Sequence, residues 1–179
     1  NGQAGAAGYF DGSSGLYLQS AGIFNIGTSD FTVSGWFKTN GATRMMLWQE
    51  SGKNGSADNQ SWLRLNDNTT TQYMRFNTEY SGGSSILNLA SEGKVNVNSW
   101  YHIVAVRNGT KMSVYINGTK VKELTTPEAR NITGADQGFK IGFQQGATSF
   151  SNFYNGYMDD LLIYKRALTD AEIAALYNL

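Results

Sequence analysis

From Leu16 onward the chain alternates short apolar runs with clusters of Gly, Asn, Ser and Thr, a rhythm that reads as strands and turns rather than helices. The runs predict strands over Leu16 to Gln19, Phe31 to Lys38, Met45 to Gln49, Trp62 to Leu65, Tyr73 to Thr78 and Ile86 to Ala90. They continue over Trp100 to Arg107, Lys111 to Ile116, Lys120 to Leu124, Phe139 to Phe143 and Tyr157 to Tyr164. Ahead of them lies a Gly- and Ala-rich lead, Asn1 to Gly15, anchored only by Tyr9 and Phe10.

Within several strands the residues sort by parity. Leu63, Leu65, Met74, Phe76, Leu87 and Leu89 fall on one side, and Trp62, Arg64, Asn66, Tyr73, Arg75, Asn77 and Asn88 on the other. The first set is core, and the second is an outward face shared by neighbouring strands. The run WYHIVAVR, Trp100 to Arg107, is apolar on both parities and so predicts a central strand covered on both sides. Asn108-Gly109 and Asn117-Gly118 predict type I′ hairpin turns that join three strands into a meander. The segment from Ala167 to Leu179 predicts a short closing helix: Thr169 and Glu172 form a capping box, Leu168 and Ile173 a hydrophobic staple, and Ile173, Leu176 and Tyr177 an apolar stripe. About ten short antiparallel strands with one terminal helix predict an all-β, two-sheet antiparallel jelly-roll sandwich, with residues 1–179 as a single domain.

Composition narrows the chemistry. The 179 residues carry 14 basic and 14 acidic side chains with no basic run, which argues against a nucleic-acid partner. No apolar stretch approaches the ~20 residues of a membrane span, so membrane insertion is not expected. With no cysteine and one histidine, thiol chemistry and the usual zinc spacings are absent. Charged residues make up 16% and aromatics 13%, so much of the polarity lies in neutral hydrogen-bonding groups, a surface suited to an extracellular domain that meets sugars. The start at Asn1, without methionine or a leader-like segment, reads as one module of a larger multidomain chain.

Three stretches resemble a known family together: DFTVSGWFK from Asp30, the Trp100 to Gly118 run with WYHIVAVR and MSVYING, and GYMDDLLIYKRALTDAEIAALY from Gly156. With the lead YFDGSSGLYL from Tyr9, they resemble the laminin G-like branch of the concanavalin A-like lectin and glucanase superfamily over nearly the whole chain. The resemblance implies a jelly roll of two curved sheets, frequent service as a carbohydrate-binding or adhesion module, and often a structural calcium ion. Asp11 and Asp159 match the acidic positions near the two ends of the family pattern and become the expected metal ligands. Their other reading is a turn former before Gly12 and a solvated edge charge.

Catalysis is not expected. The Glu-x-Asp-x-x-Glu pattern of the superfamily's hydrolases is missing, and His102 alternates with Trp100 and Val104 in a central strand, as a core histidine would. The outward face offers aromatic platforms and fork donors for a sugar: Trp48, Trp62 and Tyr73 on one hand, Arg64, Arg75, Asn77 and Gln49 on the other. Arginine also admits an acidic sugar. The competing reading is cross-strand aromatic pairing with arginines laid over it. A second aromatic group, Phe150, Phe153, Tyr154 and Tyr157, either grips a glycan end or caps the core. The sequence therefore points to a calcium-stabilised, non-catalytic, secreted or cell-surface domain that binds a glycan or polysaccharide. The alternative is a protein-binding adhesion or structural domain.

Overall fold

The computed structural model describes residues 6–19, 25–52, 58–68, 72–80, 83–134 and 138–179. One sheet runs in the order β1 (Gly8–Asp11), β14 (Asn155–Tyr164), β3 (Phe31–Thr39), β8 (Trp100–Asn108), β9 (Lys111–Ile116) and β10 (Thr119–Thr125). The other runs β2 (Leu16–Leu18), β11 (Phe139–Ile141), β4 (Met45–Ser51), β5 (Gln60–Asn68), β6 (Gln72–Tyr80) and β7 (Gly83–Leu89). A two-stranded ribbon, β12 (Gln144–Gln145) with β13 (Phe150–Ser151), a 3₁₀ turn at Ser91–Gly93 and the helix α1 (Asp170–Tyr177) complete the elements of the described residues. Neighbouring strands pair antiparallel throughout, and the two sheets form the expected jelly-roll sandwich.

The inner faces close on each other. Phe31, Val33, Phe37, Ile103, Ala105 and Val114 meet Met45, Trp48, Leu63, Leu65, Met74, Phe76, Leu87 and Phe139 in one buried cluster. Its centre is aromatic: Phe31 stands edge-on to Trp48 and Phe76 at 6.1 Å, and Trp48 stacks on Phe139 at 5.7 Å. The outer face of the first sheet is closed by the helix, where Val104, Val106 and Tyr115 pack under Leu168 and Ile173. Strand β8 is therefore apolar on both parities because it has a core on each side. The helix starts as the sequence predicts, with Thr169 and Glu172 exchanging side-chain and backbone hydrogen bonds, and Arg166 holds Glu172 at 2.7 Å.

One hairpin differs from expectation. Asn117 and Gly118 both take positive φ, 51° and 76°, as a type I′ turn requires. At the other, Asn108 pairs with Lys111 inside the ladder, so the loop is Gly109-Thr110 and only Gly109 has positive φ. A single positive φ at the first central position is the type II′ pattern, for which glycine alone suffices.

His102 lies buried between sheet and helix. A 2.8 Å hydrogen bond links its Nε2 to Ser34 Oγ, and its ring packs against Trp36 at 5.3 Å and Tyr177 at 6.1 Å. Burial pushes it down from the usual 6.5 to about 4. The folded protein thus refuses a proton that the unfolded chain accepts, so stability present above pH 6.5 is lost as pH falls towards 4. Urea midpoints should fall between pH 7.0 and 5.0 in the parent protein, and His102→Gln should remove most of that fall. Glu79, raised by burial, acts in the opposite sense but equally in both proteins.

Candidate ligand-binding face

Among the described residues no helix lies over the outer face of the second sheet, and its side chains lie in cross-strand rows. One row runs Tyr17, Lys140, Gln49, Trp62, Asn77, Ile86, and the next Met46, Arg64, Arg75, Asn88. Trp62, Arg64, Arg75 and Asn77 therefore share the face that the sequence parity assigns to them. Trp48 does not. Adjacent strand residues point to opposite faces, and with Gln49 on the outer row Trp48 turns inward, 1% exposed and stacked on Phe139. Its assignment as a ligand platform is corrected: it is a core residue.

Among the described residues, the wall is covered at one end and open at the other. At the β4 end the β12–β13 ribbon lies over it: the Gln49 side-chain carbonyl accepts from the Gln145 N–H at 2.7 Å, its amide donates to the Gln145 carbonyl at 3.1 Å, and Arg64 donates to Gln144 at 3.3 Å. Trp62, expected as an open platform, is 6% exposed and carries the Arg64 guanidinium over its ring at 4.2 Å. It also donates to Glu79, which takes further hydrogen bonds from Gln60 at 3.0 Å and Asn77 at 3.1 Å. Asn77 is buried in that network. Towards β6 and β7 the face opens, and there Tyr73, Arg75 and Asn88 are half-buried, with Lys94 at 5.7 Å from the Tyr73 ring.

A bulge organises this open end. Between Leu65 and Asn68 the ladder of β5 with β6 shifts register, and Asn66 takes φ 51°. In an unbroken strand residues i and i+3 face opposite sides, but the extra residue brings Asp67 back to the face of Arg64. Asp67 is then ringed by three guanidiniums, Arg64 at 2.5 Å, Arg75 at 2.6 Å and Arg44 at 3.3 Å, its own side chain 1% exposed. Parity reasoning missed both Asp67 and Arg44. The usable signal was Asn66, a residue that tolerates left-handed backbone, inside an otherwise regular strand.

On the other flank of the ribbon lies a cleft of about 360 Å³ lined by Ser13, Ser14, Tyr17, Phe143, Gln145, Phe150 and Phe153. The second aromatic group divides here. Phe150, 61% exposed, and Phe153 line the cleft, Tyr154 is buried in the core, and Tyr157 sits in β14 against Tyr9 at 5.1 Å.

The two expected metal ligands do not meet. Asp11 pairs with Asn155, whereas Asp159 lies beyond Met158, the partner of Gly8, about 13 Å along the ladder at ~3.3 Å per residue. Ligands of one calcium ion must each come within about 2.6 Å of it. The Asp11 carboxylate instead accepts the N–H and hydroxyl of Ser13 and of Ser14 at 2.8–3.0 Å, which holds it down at about 2, and Asp159 accepts from the Asp160 N–H. The expectation of one ion shared between them is therefore corrected, because the strand register separates the pair. Among the described residues no group of three or more Asp, Glu, His or Cys side chains stands close enough to hold a metal. The Ser34–His102 pair is buried and His102 Nδ1 has no partner among the described residues, so no carboxylate orients the imidazole.

A model of the concanavalin A-like lectin/glucanases superfamily matches residues 10–174. Usherin of Homo sapiens is 25% identical over 152 residues, and Paraclostridial mosquitocidal protein 1 of Paraclostridium bifermentans 30% over 160; each alignment covers 84% of this chain. The matches span only 3% and 12% of those proteins. Among solved structures, the CBM40 of Ruminococcus gnavus IT-sialidase bound to α2,3 sialyllactose superposes with a TM-score of 0.80 at 14% identity, covering 96% of both chains. Domain 4 of AbnA, a GH43 extracellular arabinanase from Geobacillus stearothermophilus in complex with arabinotriose, superposes with a TM-score of 0.73 at 23% identity, covering 98% of this chain and 78% of that one. At these identities the superpositions establish a shared fold.

Because Asp67 lies beneath three guanidiniums, Asp67→Asn should leave them repelling one another without a counter-charge. Removing one member of a buried ionic group costs about 3–5 kcal/mol. Urea denaturation should show a loss of that order, and a loss below about 1 kcal/mol would mean that solvent already screens the cluster.

Proposed function

We propose that this chain, which belongs to the laminin G-like branch of the concanavalin A-like lectin/glucanase superfamily, is a non-catalytic carbohydrate-binding domain that takes its saccharide on the open part of the second sheet's outer face. One observation carries this reading. Of the sandwich's two outer faces, the helix covers one with apolar packing, while the other brings an aromatic ring, Tyr73, and planar donors, Arg75, Arg44 and Asn88, to the solvent boundary. A pyranose needs that pairing: its C–H face packs on an aromatic ring while its hydroxyls take directed hydrogen bonds. The CBM40 and arabinanase domains, named for complexes with sialyllactose and arabinotriose, share the fold and support the reading.

In this role the domain works by proximity. Weak attachment to a glycan raises the local concentration of whatever enzyme or surface protein it is joined to, which requires no chemistry of its own. The setting is outside the cell, in keeping with the neutral polar surface and with a related domain from an extracellular arabinanase. Among the described residues no helix is long and apolar enough to cross a membrane.

A second reading, a protein-binding adhesion domain, draws on a different surface. Edge strand β2 exposes Leu16, Tyr17 and Leu18 together, and Tyr17 lines one cleft with exposed Phe150. Apolar clusters of this kind mark protein contacts more often than sugar sites.

Glycan-array screening followed by calorimetry separates the two. Retention of a saccharide, with binding at least ten-fold weaker in Tyr73→Ala at an unchanged fold by circular dichroism, is the expected result. No retained saccharide, or a Tyr73→Ala variant that binds like the parent, would overturn the glycan reading. A Leu16→Ser/Leu18→Ser double variant should bind the saccharide as the parent does.

A further inference from the structure

We propose that the saccharide bound on this face is an acidic one, its carboxylate seated on the guanidiniums of Arg44, Arg64 and Arg75; this rests on the glycan-binding reading above and names its substrate class. The charge count motivates it. The chain as a whole is balanced at 14 against 14, yet on this face the guanidiniums of Arg44, Arg64 and Arg75 converge on the carboxylate of Asp67 with Lys94 beside them on the Tyr73 ring, so that, with Glu79 counted, four cations stand against two carboxylates. Glu79, the next carboxylate on the face, takes its hydrogen bonds from Trp62, Gln60 and Asn77 and attracts Arg64 through space, which leaves Arg44 and Arg75 sharing Asp67.

An ion-pair network that served the fold alone would match its charges. This one does not: burial pushes Arg64 down, Asp67 resists, and Arg44 and Arg75 push it down further by like-charge repulsion. An anion arriving from solvent relieves that repulsion, whereas a neutral sugar leaves it in place. The cluster is also reachable. The side chain of Arg44 is 51% exposed and that of Arg75 26%, while Asp67 lies beneath them. Arg44 spends Nε and Nη2 on the Asp67 main-chain carbonyl, at 3.3 and 2.9 Å, and its Nη1 has no partner among the described residues. Tyr73 precedes Arg75 by two residues on the same face of β6, so a sugar ring on Tyr73 brings a ring-borne carboxylate over the arginines.

Both hexuronic and sialic acids supply such a carboxylate, and the titration distinguishes them. The 179-residue protein is titrated calorimetrically with trigalacturonate and its methyl ester, with 3′-sialyllactose and lactose, and with sulfated lactose, at 50 and 500 mM NaCl. At least one carboxylated sugar should bind ten-fold or more tightly than its neutral counterpart, and salt should reduce that preference several-fold. Arg44→Gln, an exposed substitution that leaves the fold intact, and Arg75→Gln should each abolish most of the preference. Equal binding of acid and neutral partners, a preference that survives both substitutions, or a preference for the sulfated sugar over the carboxylated ones would overturn the inference and leave the glycan-binding reading standing. Failure to bind any of these sugars or any arrayed glycan would overturn both.

Discussion

A two-layer sandwich has four faces but only one interior, and that constraint governs the rest of this molecule. The two inner faces meet in a single apolar cluster with Phe31, Trp48 and Phe76 near its centre. Each outer face must then be either covered or made polar. The first sheet takes the former course. Helix α1 lays Leu168 and Ile173 on Val104, Val106 and Tyr115, and the interior histidine belongs to this packing. The second takes the latter, with rows of Gln, Asn, Arg and Trp side chains that bond to one another and to the β12–β13 ribbon. On the face that the helix leaves bare, Tyr73, Arg75, Arg44 and Asn88 reach the solvent boundary.

How far the sequence reveals this depends on where the strands are regular. The alternation of Leu63, Leu65, Met74 and Phe76 against Trp62, Arg64, Tyr73 and Arg75 places the shared face directly, because paired regular strands keep their parity. It fails at bulges. In β4 the ladder slips between Met46 and Trp48, so the run MMLWQ does not say which of Trp48 and Gln49 looks outward. In β5 the slip at Asn66 restores Asp67 to the outer face, so the carboxylate that gathers the arginines was invisible to a period of two. Burial by a distant segment is equally silent. That an arginine lies over Trp62 is the competing reading of the sequence, but nothing local announces that Gln144 comes from 80 residues away to take a hydrogen bond from that guanidinium.

The fate of Asp11 and Asp159 illustrates the same limit in another form. That β1 and β14 pair follows from the order of the family's strands, but the offset between them is fixed by packing of the whole ladder. An offset of four residues turns a potential pair of ligands into two unrelated carboxylates, one of which closes its own turn through Ser13 and Ser14. The charge pattern behaves likewise. An even balance of acids and bases along the chain conceals a local imbalance that exists only once β4, β5 and β6 lie side by side.

The pairing of β1 with β14 also sets the molecule's polarity as a module. The strand nearest the amino end and the helix at the carboxyl end both belong to the first sheet, on the side opposite the arginine face. A partner joined beyond α1 would thus attach at the back of the sandwich, with the arginine face turned away from it like the sole of a foot beneath the ankle.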